Sequence, residues 1–253
     1  LSTRLQLRNS LLGHLSVNHD TPADARVSGR RILSKKPDVV RAQSQQAASV
    51  GVVEHGNSAV LVTVARGGNL LDRRRIDLTG PDLPTHPHHH EGSWAVGRYL
   101  STPGARVLPL PDVVALVERV RVAAACGARE GLDALATAVS MPIVSIAIRV
   151  CPELPATTED RIADNRAQTL ADSVMYREAI AEAARARGWA LHWYDRKQVF
   201  RDAAAALGCQ DVEPFLHAMG RSIGPPWQAN HKLAAAAAVA ATRHAPGMLR
   251  RSR

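Results

Sequence analysis

The sequence predicts an α/β fold, a mixed five-stranded sheet flanked by helices. Three observations lead there. Apolar, β-branched runs at residues 50–53 and 59–65 are separated by a Gly56-Asn57 turn, and a third run at 70–78 follows Gly67-Gly68-Asn69. Two later apolar runs, 143–150 and 190–195, are each preceded by a long helical pattern, which is how crossover-linked parallel strands are written. Proline and glycine breaks at Gly67-Gly68, Pro152 with Pro155, Gly188 and Gly224-Pro225-Pro226 separate these segments.

The first two runs are close enough for an antiparallel hairpin. The third carries Arg73, Arg75 and Asp77 in alternation, as an edge strand does. Residues 79–111 are rich in proline, hold four glycines and a histidine cluster, and read as a long irregular loop. Asp112 is expected to cap a helix over 113–138, whose Val113, Leu116, Val117, Val120, Ala124, Leu132 and Leu135 share one face. Pro142 introduces "IVSIAIRV", a buried strand. Thr157-Thr158-Glu159-Asp160 opens a helix expected to run to about residue 187, with Arg161, Arg166 and Arg177 in pairs along its surface. Gly188 ends it, "ALHWYD" supplies the fifth strand, and a short helix covers 197–207. Gly224-Pro225-Pro226 then precedes an alanine-rich helix over about 228–242, with Trp227 as its anchor.

The net charge of +9 is unevenly spread. Residues 1–45 carry +5, residues 242–253 carry +4, and the body between them sums to zero. The expected organisation is a disordered basic leader (1–45), one folded domain (46–242) and a basic tail (243–253). No apolar run approaches the length of a membrane span. Cys126, Cys151 and Cys209 form no C-x-x-C pair, which suits a reducing, cytoplasmic setting. Phosphate-loop, serine-elbow and H-E-x-x-H patterns do not occur.

The segment "VGVVEHGNSAVLVTVARGGNLLDRRRIDL" and the closing "WQANHKLAAAAAVAA" resemble the opening strands and last helix of the ribonuclease H-like superfamily, crossover-junction resolvase branch. The resemblance implies a nucleic-acid partner and carboxylates holding divalent metal ions, one activating water and one steadying the leaving oxygen. By position it implies catalytic roles for Glu54, at the end of the first strand, and for Asn230 and His231 in the last helix. The family's usual acid at the end of the fourth strand is replaced by Arg149. A second constellation, "LPTHPHHHEG", offers His89, His90 and Glu91 as metal ligands for Mn²⁺ or Zn²⁺, folding back over Glu54 and His55 in place of the missing carboxylates. Three readings stay open. One is a divergent metal-dependent nuclease or phosphodiesterase (Mg²⁺, Mn²⁺ or Zn²⁺); another is an inactive binding or scaffold module whose Glu54 is paired to Arg149; the third is a small-molecule enzyme reaction, which the neutral body suits and the resemblance hides. Tryptophans 189 and 193 and Tyr194 are further base-stacking or packing residues, and Cys151 is a thiol without an identified base.

Overall fold

The hairpin at the start of the domain closes through a two-residue turn. β1 (Ala48–His55) and β2 (Ser58–Ala65) pair antiparallel with His55 opposite Ser58, and Gly56 adopts φ +56° between them. Such turns need the left-handed region, which Gly-Asn supplies cheaply. The structure, a computed structural model, describes residues 47–89 and 108–243. The expected leader 1–45, the tail beyond Arg243, His90 and Glu91 lie outside the described residues.

β3 (Leu70–Asp77) pairs antiparallel with β2, while β4 (Ile143–Arg149) and β5 (Ala190–Tyr194) add in parallel to β1. The sheet order is β3-β2-β1-β4-β5, so β1 is central and β3 is an edge, as its alternating charges predict. These strand directions and this order are those of the ribonuclease H-like fold. The helices are α1 (Leu110–Ala138), α2 (Thr158–Ala163), α3 (Asn165–Ala186), α4 (Val199–Leu207), α5 (Glu213–Ile223) and α6 (Ala229–Ala241).

Each face of the sheet has its own core. Val50, Val52, Ile146 and Ile148 face α1 and α3, packing with Val120, Leu132, Tyr176 and Ile180. Val53, Val62, Val64 and Ala147 face α4, α5 and α6, packing with Leu216, Leu233 and the alanines of α6. The central strand is therefore apolar on both sides.

Two expectations about helices are corrected, and one helix is added. Asp112 is not the cap of α1: the helix begins at Leu110 with Pro109 at its cap and Pro111 in its first turn, where a missing N–H costs nothing. Asp112 sits in the first turn, where its charge suits the helix dipole. The long helix after Thr157 is two helices. Thr157 caps α2 by accepting from the Asp160 N–H at 3.1 Å, and Asp164 then interrupts the run by accepting from Arg166 and Ala167 N–H groups at 2.7 and 2.9 Å. A carboxylate that can satisfy the backbone locally favours a fresh start over continuation. The added helix is α5, which no expectation covered. It buries Leu216, Met219 and Gly220, one face of a short helix with proline in its first turn.

The edge strand also holds the approach to α6. Arg73 donates to the carbonyls of Gly224 (2.9 Å) and Pro226. Trp227 packs against Gly220 of α5 and stacks on His231 of α6, so the contacts it makes here tie the two helices together.

Candidate functional site

Glu54 lies in phase with Val50 and Val52, which turns its side chain to the α1/α3 face. There it meets Arg177, from the middle of α3, at 2.5 Å from Nη2 to Oε1. The two side chains are only 7% and 5% exposed. Arg177 spends a second donor on the Val150 carbonyl at 2.9 Å, just past β4. The expected Glu54–Arg149 pair is thus replaced by Glu54–Arg177. Strand parity is the reason: Arg149 follows Ile148 and falls in phase with Ala147, on the opposite face. Arg177 is likewise no surface partner along α3 but a buried cation reaching across to the sheet.

Beyond this pair, at the carboxyl ends of β4 and β5, a cavity of about 480 Å³ opens. Arg149, Arg177, Arg196 and Lys197 line it, with Ser173, Cys151 and Asp195. Asp195 is engaged locally, accepting from the Lys197 N–H at 2.6 Å. Burial pushes the Cys151 thiol up, against the pull of Arg177, so it is kept protonated and is a poor nucleophile. Buried Arg177 Nε makes no hydrogen bond. Tyr194 belongs to the other face, donating to the Val52 carbonyl at 2.8 Å; burial, and then the Glu54 charge, raise its pKa. Trp189 is core, whereas Trp193 is 43% exposed.

The histidine loop folds over α3, and its centre is Asp172, a residue absent from the expected set. Asp172 Oδ1 accepts from the His88 backbone N–H at 3.0 Å and lies 2.7 Å from His88 Nδ1. Its Oδ2 lies 2.7 Å from His89 Nδ1 and 4.0 Å from His86 Nδ1. The rings of His86 and His89 stack with centroids 4.8 Å apart. Desolvation is the largest influence on the Asp172 carboxyl and acts upward, yet the His88 and His89 imidazoles together draw it below the ordinary value. The loop is pinned at a second point, where Tyr176 donates to the Thr85 carbonyl at 2.9 Å. Thr85 also abuts Gly56, so the loop does reach the β1–β2 turn, beside exposed His55. Of the expected metal ligands, His89 joins Asp172, Glu54 is held by Arg177, and His90 and Glu91 lie outside the described residues.

Asn230 and His231 begin α6, which packs on the face opposite Glu54. His231 Nδ1 accepts from the Gln228 N–H at 3.1 Å, completing a capping box. Burial, and then the nearby charge of Arg73, lower its pKa. Glu54, Asn230 and His231 are therefore not brought together.

A helical phase reading could have found the missed residues. Asp172, Tyr176 and Ile180 recur at intervals of four, and all are buried. A carboxylate in that register has to be satisfied inside the protein.

The strand order is that of a ribonuclease H-like fold. No protein family's sequence profile matches the chain, and no curated protein matches it. Two solved structures are similar. RuvC of Thermus thermophilus in complex with a Holliday junction substrate shares 16% identity at a TM-score of 0.42. Thermus thermophilus RuvC in a further structure shares 15% at 0.37. Each comparison covers 78% of this chain and 96% of the other. Among the described residues, no helix is long and apolar enough to cross a membrane.

Proposed function

We propose that this chain is a nucleic-acid-binding ribonuclease H-like module that does not cut through a two-metal carboxylate centre. The observation that carries the reading is the place of Arg177. One edge of its guanidinium neutralises Glu54, the position from which the family's first metal is held, and the residue also lines the basic cavity at the strand ends. A carboxylate held at 2.5 Å by a buried arginine is a poor metal ligand, because the ion has to break a buried ion pair before it can bind. Arg149, Arg196 and Lys197 add charge to the same cavity, suited to a phosphodiester backbone.

The test is fluorescence anisotropy with single-stranded, duplex and branched DNA and with RNA, across a salt series. Binding that falls with salt is expected. In the Arg196→Glu/Lys197→Glu variant, affinity is expected to drop at least about tenfold, with the salt slope smaller by about 2. Absence of binding to every probe, or Mg²⁺-dependent cleavage that Glu54→Gln abolishes, overturns the reading.

A second reading, metal-dependent phosphodiester hydrolysis, is favoured by one observation. Donor atoms of His86, His89 and Asp172 all lie within 4.8 Å of one another.

A further inference from the structure

We propose that His86, His89 and Asp172 form a binding site for a single Zn²⁺-class ion, with one coordination position open to solvent. The site rests on the geometry of the histidine loop and is independent of whether the chain binds nucleic acid.

The chemistry of the donors comes first. Two imidazole nitrogens and one carboxylate oxygen suit Zn²⁺ and its first-row neighbours, whereas Mg²⁺ asks for an all-oxygen, near-octahedral set. Three protein ligands with a free fourth place is the arrangement of open zinc sites, as opposed to closed structural ones. The exposure gradient fits: Asp172 is 4% exposed, His89 27% and His86 49%, so the trio opens outward from a buried carboxylate.

Support from behind the ligands is already in place. Oδ1 of Asp172 takes both the backbone N–H and the imidazole of His88, which is 2% exposed, and these fix the plane of the carboxylate. Oδ2 is thereby aimed at His86 and His89. It is buried, with His89 Nδ1 2.7 Å away. A cation entering here replaces that direct contact, each atom then binding it at about 2.0–2.2 Å. The loop carrying the histidines is held against α3 by His88 and by the Tyr176–Thr85 bond, so little has to be ordered on binding. An ion here fastens the segment from Thr85 to His89 to the middle of α3, and its open position takes water or a phosphate oxygen.

The test uses the full chain after treatment with a chelator. Zn²⁺ is titrated by calorimetry and by thermal unfolding, and Co²⁺ by visible absorption, which reads ligand number and type. One Zn²⁺ per chain is expected, with a saturable rise in melting temperature, a four-coordinate Co²⁺ spectrum and no response to Mg²⁺. His86→Ala and His89→Ala are each expected to lose the binding, and His88→Ala to weaken it about 10–100-fold. His86 is half exposed, so its variant keeps the fold, verified by circular dichroism and by its metal-free melting temperature. The chain has eleven histidines, and unchanged stoichiometry and affinity in the His86→Ala/His89→Ala double variant would place the ion on others and overturn the proposal. Absence of Zn²⁺ binding to the parent, or an equal response to Mg²⁺, overturns it too.

Discussion

Arg177→Ala is expected to cost about 3–5 kcal/mol, read as a shift of the urea midpoint at constant slope. The variant strands Glu54, whose side chain is 7% exposed and has its neutralising partner removed. It also strips the Val150 carbonyl of a donor, at the point where the chain leaves β4. Arg149→Ala, by contrast, is expected to cost less than about 1 kcal/mol, since Arg149 is partly exposed and out of phase with Glu54. The order of these two effects matters more than either value. An Arg149 variant that proved the more costly would remove the ion-pair assignment.

Replacing both members, Glu54→Leu with Arg177→Met, is expected to recover most of that loss, because a buried ion pair often contributes no more than a well-packed apolar pair. The same variant separates stability from function. If Arg177 serves the basic cavity as well as Glu54, nucleic-acid affinity falls in the double variant even though stability returns. If affinity is unmoved, the arginine is there for Glu54 alone and the cavity's phosphate contacts come from Arg149, Arg196 and Lys197.

Much of the sheet was legible because its signals are local. β-branched alternation, Gly56-Asn57 and Gly67-Gly68 fix a hairpin and an edge within thirty residues or so, and the charges on β3 name the edge. The position of Glu54 was legible for the same reason. Its partner was not: Arg177 is 123 residues away, and choosing it over Arg149 requires knowing which face of β1 receives α3. The same parity decides against Asn230 and His231, since α6 takes the other face. The histidine cluster could be seen but not its centre, because Asp172 arrives from a helix whose surface charges obscure the buried row that it shares with Tyr176 and Ile180. The break at Asp164 and the short helix α5 were hidden by a different limit. At each, one carboxylate bonds the backbone just ahead of it, Asp164 to the Arg166 and Ala167 N–H groups and Asp211 to the Glu213 N–H, which periodicity does not register.

Gly51→Val is the substitution expected to disturb the domain most broadly, with a cost at or above the roughly 1–3 kcal/mol usual for overpacking. Gly51 faces α6 from the central strand, and even a Cβ there would lie 1.8 Å from the Ala234 carbonyl oxygen and 2.6 Å from the Ala238 nitrogen. Both are backbone atoms, so no side chain can swing aside. The helix has to lift, and Ala234 through Val239, all fully buried, lose their contact with the sheet. Conformation is not the issue at this position, as it is at Gly67, where φ is +102° but a Cβ would meet nothing. Gly67→Ala is therefore expected to cost only the left-handed strain, about 1–2 kcal/mol. The long alanine run of α6 follows from the same close approach: any larger residue facing Gly51 would hold the helix away from a position that has no side chain to fill the gap. A Gly51→Val protein that unfolds at the parent's urea midpoint would mean that α6 does not rest on β1, and the two-faced core would have to be redrawn.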